Sequence, residues 1–137
     1  MTAPQKKLAA IMFTDIAGYT ALMGSNESRA MELLKANRSL QKPLIENHGG
    51  KWLKEMGDGV MASFDSAYMA VKSALEIQKS AGEELQSMIR IGIHLGDITF
   101  EGEDIFGDGV NIASRLETIA NPGGVYFSES VMKAIHS

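Results

Sequence analysis

An uninterrupted apolar run, Leu8-Ala9-Ala10-Ile11-Met12-Phe13, ends on Thr14-Asp15. A strand with one wet face alternates polar and apolar residues. A run without alternation reads as a strand buried on both faces, and so central in its sheet. The rest of the chain must supply that strand with neighbours and covering helices. It also leaves a carboxylate, Asp15, at the strand's C-terminal end.

The following segments meet that demand. Gly18 marks a turn. Ser25 or Asn26 caps a helix carrying Ala30, Leu33, Leu34 and Leu40 at helical spacing, which Pro43 is expected to kink or end. Asn47-His48-Gly49-Gly50 closes that segment, with His48 as a helix-end residue. Two extended runs, 51–56 and 60–64, flank Gly57-Asp58-Gly59, a hairpin signal. Asp65 or Ser66 caps a second helix with Ala67, Ala70, Val71, Ala74, Leu75 and Ile77 inward and Gly82 at its end. Residues 88–100 read as extended, broken by Gly92 and Gly96. A third helix spans 109–120 and stops at Asn121-Pro122-Gly123-Gly124. Residues 125–127 form a last short strand, and Ser128 caps a final helical turn.

The order strand–helix–hairpin–helix–strand is the split βαβ arrangement. It predicts an α+β, ferredoxin-like antiparallel sheet with helices on one face. A right-handed crossover makes the first two strands parallel, with the third antiparallel and inserted between them. The end of strand one then lies on the same sheet edge as the turn between strands two and three. Asp15 occupies the first place and Asp58 the second, so the two carboxylates are predicted to meet.

Composition narrows the chemistry. The 137 residues suit one domain, 1–137, with a single core. A formal net charge of −4 argues against sequence-independent nucleic-acid binding, which needs a basic surface. Zero cysteines removes disulfides, thiolate catalysis and cysteine–zinc sites. The apolar run is too short for an export signal or a membrane span, so a cytoplasmic location is expected.

Paired carboxylates on one sheet edge suit a divalent cation, since Mg²⁺ takes one or two carboxylates plus phosphate oxygens. Taken singly, Asp15 serves as a helix cap and Asp58 as a turn residue; their convergence is what points to chemistry. In Asp15-Ile16-Ala17-Gly18-Tyr19-Thr20, a glycine follows the carboxylate before a short helix, where backbone N–H groups can cradle phosphates.

Four segments then carry a family resemblance. Phe13-Thr14-Asp15-Ile16-Ala17-Gly18-Tyr19-Thr20 resembles the first metal motif of class III adenylate and guanylate cyclases, and Lys54-Glu55-Met56-Gly57-Asp58 their Lys-x-x-Gly-Asp motif. Arg90-Ile91-Gly92-Ile93-His94-Leu95-Gly96 resembles the Arg-x-Gly-x-His-x-Gly strand. The segment from Asp104 to Arg115, Asp-Ile-Phe-Gly-Asp-Gly-Val-Asn-Ile-Ala-Ser-Arg, resembles the Asp-x-x-Gly-x-x-Val-Asn-x-Ala-x-Arg block. The blocks stand in the family's order and cover nearly the whole chain.

The resemblance implies the nucleotide-cyclase version of this fold and assigns roles. Asp15 and Asp58, with the Ile16 carbonyl, would hold two Mg²⁺ or Mn²⁺ ions, and Arg90 would contact the β- and γ-phosphates. Asn111 and Arg115, four apart on one helix face, would position the ribose and stabilise the transition state. Lys54 and Asp104 would select the base. A donor Lys with an acceptor Asp complements adenine, which favours ATP over GTP. Because the family's sites combine residues of two subunits, a homodimer is implied. His94, inside the strand motif, reads as a packed structural residue.

The family's domain normally continues into a further hairpin bearing a phosphate-binding Lys. Here the sequence stops at Ser137, so the expected domain lacks that hairpin and is truncated. The expected reaction is ATP to 3′,5′-cyclic AMP and pyrophosphate. The alternatives are a guanylate cyclase, a catalytically silent nucleotide-binding or dimerisation module, and another nucleotidyltransferase such as a polymerase palm or diguanylate cyclase. The Asn-x-x-x-Arg helix counts against the last.

Overall fold

The computed structural model describes residues 3–136, so the expectation at Ser137 lies outside the described residues. The elements run β1 (Gln5–Ile16), α1 (Tyr19–Ser25), α2 (Glu27–Asn47), β2 (Lys51–Met56), β3 (Gly59–Phe64) and α3 (Ala67–Ser80). They continue with α4 (Glu83–Gln86), β4 (Ile89–Glu101), β5 (Asp104–Phe106), α5 (Asp108–Ile119), β6 (Val125–Phe127) and α6 (Glu129–Ile135).

The sheet order is β2-β3-β1-β4-β5, with β1 antiparallel to both β3 and β4. The apolar run is central, and β3 lies between β1 and β2, as the crossover argument requires. One pairing departs from an antiparallel sheet: β6 lies parallel to β4, reached by a crossover through α5.

Strand alternation divides the core in two. Ala10, Met12 and Ile16 of β1 pack with Ile89, Ile91 and Ile93 of β4 against α2 and α3. Ala9, Ile11 and Phe13 point the other way and pack with Met61, Ile98 and Ala113 of α5. Helices on one face therefore describes α2 and α3, while α5 covers the opposite face. From Ala9 to Phe13 both faces of β1 are dry, which is why the sequence there does not alternate; Leu8, which begins the apolar run, is exposed. Asp15 continues the odd-numbered series of Ile11 and Phe13, so the carboxylate belongs to the α5 side.

Several local expectations are corrected. β4 is unbroken from Ile89 to Glu101. Its two glycines sit on the α5 face, and Gly92 is there for space: an added Cβ would lie 2.2 Å from the Glu117 backbone nitrogen and 2.7 Å from the Ala113 carbonyl. Helix and strand backbones touch at that point. Gly92→Ala is expected to destabilise the fold by about 1–3 kcal/mol through overpacking, read as a lowered urea midpoint at unchanged slope. An unchanged midpoint would refute the close seat.

α2 continues past Pro43 to Asn47. Its inward side includes Asn37 and Gln41 rather than a full Leu40, which is half-buried. Thr14 Oγ1 donates to Gln41 Oε1 (3.0 Å), and Gln41 Nε2 donates to Asn37 Oδ1 (2.7 Å). A buried polar chain thus ties α2 to the residue before Asp15. Asn26 and Ser66 are the caps, accepting from the Arg29 and Met69 N–H groups. Asp65 pairs instead with Lys7, and Leu75 is exposed. Asp104 begins the short strand β5.

Candidate active site

The β2–β3 turn brings Asp58 to the end of β1. Asp58 Oδ2 accepts a hydrogen bond from the Ile16 N–H at 2.8 Å. Arg38 of α2 holds the same turn by donating from Nη2 to the Gly57 carbonyl (2.9 Å). Asp15 and Asp58 line one cleft together with Ile16, Gly18, Tyr19, Thr20 and Arg90. Gly18 has φ 78° at the N-terminus of α1, a left-handed conformation that lets the chain turn sharply after the strand.

Arg90 faces Asp15 across the β1–β4 ladder, where the two are register partners. Its Nε donates to Asp15 Oδ1 (2.8 Å) and its Nη2 to Oδ2 (2.5 Å), a bidentate fork. Nη1 donates to the Thr118 carbonyl at the end of α5 (3.0 Å). The hydrogen bonds to Asp15 raise the pKa of a guanidinium that is already permanently charged. Arg90 is thus oriented by β1 and α5 together.

Glu117 was not picked out by the sequence reading. It is buried beside this pair, and its Oε2, 3.7 Å from Arg90 Nη2, has no hydrogen-bond partner among the described residues. Burial, then the charge of Asp15, pushes its carboxyl up to about 8. One signal was available: Gly109, Ala113 and Glu117 recur every four residues, which puts an acid on the buried stripe of α5.

The raised value makes a stability prediction. The folded protein keeps a proton on Glu117 that the unfolded chain releases near the ordinary carboxylate range. The favourable contribution is therefore fully present below that range and is lost as pH rises through about 8. Between pH 6 and pH 9 the native protein should lose on the order of 1–3 kcal/mol relative to Glu117→Gln. Parallel melting curves across that range would sink this prediction.

The other site residues lie elsewhere. Asn111 and Arg115 are exposed on α5, whereas Ser114 and Glu117 face the cleft with Asp15 and Asp58. At 3.6 residues per turn, Arg115 lies about 160° round the helix from Glu117. Within one chain, then, the Asn–Arg pair and the carboxylates are turned apart. Lys54 and Asp104 sit on β2 and β5, opposite edges of the sheet. The sheet curls enough to bring those edges together over the α5 face. Leu53, Phe100 and Ile105 pack against one cluster, and a cleft is lined by Lys51, Trp52, Leu53, Phe100, Gly102 and Glu103. Lys54 and Asp104 directly follow lining residues at its two sides. His94 is half-buried, with Nδ1 2.7 Å from Ser128 Oγ. Burial pushes its imidazole below the usual range, as suits a packed residue.

The donor set fits Mg²⁺ or Mn²⁺: two carboxylates and a strand-end carbonyl, all oxygen, beside an open cleft that leaves positions for phosphate. Among the described residues there is no group of three or more acidic, His or Cys side chains that could hold a metal by itself. No helix among them is long and apolar enough to cross a membrane.

Residues 1–137 match the family described as the Adenylate and Guanylate cyclase catalytic domain. The chain belongs to this family. It is 39% identical over 140 residues to putative adenylate cyclase 3 of Rhizobium meliloti (strain 1021), covering 96% of this chain and 24% of that protein. An adenylate cyclase of Streptomyces coelicolor is 35% identical over 113 residues, covering 81% of this chain and 30% of the relative. The chain therefore spans about a quarter to a third of these relatives' length. The crystal structure of an adenylate/guanylate cyclase/hydrolase from Silicibacter pomeroyi superposes with a TM-score of 0.89 at 39% identity, covering 98% of this chain and 83% of the other. The α+β cyclase fold follows from that likeness.

Proposed function

We propose that this cyclase domain converts ATP to 3′,5′-cyclic AMP and pyrophosphate as a homodimer, with Mg²⁺ or Mn²⁺. The observation that carries this reading is the meeting of Asp15 and Asp58 at one sheet end, with Asn111 and Arg115 turned outward on α5. A second copy would bring its Asn111 and Arg115 to the first copy's carboxylates, completing two equivalent sites.

In this reading Asp15, Asp58 and the Ile16 carbonyl hold the cations, which lower the pKa of the ribose 3′-hydroxyl and neutralise the triphosphate. The Gly18 turn presents backbone N–H groups to the phosphates, and Arg90 contacts the β- and γ-phosphates. Asn111 positions the ribose. Arg115 stabilises charge that grows on the α-phosphate oxygens during in-line attack, where a fixed guanidinium helps most. Lys54 donates to an adenine ring nitrogen and Asp104 accepts from the 6-amino group. Guanine presents the opposite pattern.

Protein incubated with ATP or GTP and Mn²⁺, with products identified by mass spectrometry at several protein concentrations, tests the reading. Cyclic AMP is expected, with activity per chain falling on dilution. Cyclic GMP as the main product would instead support a guanylate cyclase. A second reading, a nucleotide-binding module without turnover, draws on the bidentate Arg90 clamp that occupies Asp15. ATP binding with no product would favour it.

A further inference from the structure

Helix α2 contacts the residue just before each site carboxylate. Gln41 Oε1 accepts from Thr14 Oγ1 (3.0 Å), one residue ahead of Asp15, and Arg38 Nη2 donates to the Gly57 carbonyl (2.9 Å), one residue ahead of Asp58. Arg38 and Gln41 stand three apart and so share a side of the helix. Neither contact is what a core needs. Thr14, Asn37 and Gln41 are wholly buried, where an apolar layer of the same shape would serve equally well. Asn37 Nδ2 and Arg38 Nε are shielded from solvent with no hydrogen-bond partner among the described residues. Arg38 Nη1 also pairs with Glu55 Oε1 at 3.3 Å, but both side chains are partly exposed, and such pairs add little stability.

The two acids differ in how firmly the backbone holds them. Asp15 is a rung of the β1–β4 ladder, opposite Arg90. Asp58 lies past the last paired residues of its hairpin, Met56 and Gly59. Two other bonds fix its turn: the Ile16 N–H to Asp58 Oδ2, and Arg38 to the Gly57 carbonyl. The first occupies a carboxylate oxygen for which a cation would compete. The second uses no oxygen of either acid, so it can persist with the site loaded.

We propose that Arg38 is a positioning residue that sets the place of Asp58 relative to Asp15 and so fits the site to a small cation, Mg²⁺, over a larger one such as Ca²⁺. Mg²⁺ demands near-ideal octahedral geometry with oxygens at about 2.0–2.1 Å, whereas Ca²⁺ accepts irregular geometry at about 2.3–2.6 Å. A turn free to drift therefore penalises Mg²⁺ more than Ca²⁺. This inference rests on Asp15 and Asp58 being cation ligands. Arg38 touches neither nucleotide nor cation and acts only through the turn.

The test is Mn²⁺ binding to the whole chain without nucleotide, followed by the electron paramagnetic resonance signal of free Mn²⁺, with Mg²⁺ or Ca²⁺ added as competitor. Arg38→Ala should weaken Mg²⁺ about tenfold, the lower end of what loss of a ligand-orienting group costs, and Ca²⁺ less than about threefold. Arg38→Lys, which keeps a charged donor on α2, should recover part of the Mg²⁺ loss. Glu55→Gln removes the ion pair but leaves the carbonyl bond, and Lys42→Ala breaks an exposed ion pair on the same helix. Both should leave the Mg²⁺/Ca²⁺ ratio within about twofold of native. Equal losses of the two ions in Arg38→Ala, no loss at all, or a ratio that falls as far in the Glu55 or Lys42 variant would overturn the proposal. A measurement on the unaltered protein does not depend on the variants folding. As Mg²⁺ is added, the Ile16 amide, bonded to Asp58, should shift in ¹⁵N-edited spectra while the Arg38 guanidinium signals stay in place. Arg38 signals that move as far as the Ile16 amide would show the turn being released, and would also overturn it. If Mn²⁺ binding does not depend on Asp15, as judged with Asp15→Asn, the cation-site reading fails and this inference with it. Asp15-dependent binding whose Mg²⁺/Ca²⁺ ratio is indifferent to Arg38 defeats the positioning role alone.

Discussion

Asp15→Asn is expected to lower cyclic-nucleotide formation by about 10³-fold, equivalent to about 4 kcal/mol of transition-state stabilisation. The amide keeps the shape of the side chain and its place at the end of β1, but it cannot supply an anionic oxygen to a cation. Arg90 loses one partner yet keeps the Thr118 carbonyl and the neighbouring Glu117, so the fold should survive. The comparison is of turnover at saturating ATP and Mn²⁺ between two proteins of similar melting temperature. A variant retaining more than a tenth of native turnover would show that Asp15 is not a ligand the chemistry needs.

Arg115→Ala should cost about 10²–10³-fold by removing one fixed donor to the developing charge. The more telling result comes from mixing it with Asp15→Asn. Each variant alone assembles only defective sites. A heterodimer of the two has one site with both lesions and one with none. Equal mixing with free exchange therefore restores about a quarter of native activity per total chain, half the dimers having one good site of two. Restoration requires the carboxylates and the Asn–Arg pair to come from different chains. A mixture no more active than its components would place all these residues in one subunit's site, against the outward direction of Asn111 and Arg115 on α5.

Much of this arrangement was readable in the residues, and for physical reasons. The apolar run announced the central strand because a segment buried on both faces has no polar positions. Gly57-Asp58 announced the hairpin, and the handedness of the crossover then placed Asp58 beside the end of β1. The covering of the second face was less legible. Six odd-and-even apolar residues in β1 demand two packed layers, but nothing local says which helix supplies the second. The glycines of β4 misled because glycine weakens strands in isolation, whereas Gly92 leaves room for the α5 backbone to rest on the strand, a contact the local sequence does not state.

Glu117 stayed hidden because an acid on a helix reads as a solvated residue, and only tertiary packing reveals that its stripe faces inward. The bond between Arg90 and Asp15 was equally out of reach. Both residues were marked for ligands, and their pairing depends on strand register, which no motif states.

The alternation along β1 also sets where this domain tolerates change in length. Odd positions from Ala9 to Asp15 look toward α5 and even ones toward α2 and α3. One residue inserted anywhere between Ala9 and Asp15 would rotate the carboxylate into the apolar layer beneath α2 and put Thr14 in its place. The insertion would abolish the site and bury a charge at once. The turns at Gly102 and Gly123 carry no such parity. Lineages of this domain should accordingly vary in length there while keeping the first strand's count fixed, a pattern that deep insertion scanning of the gene would display directly.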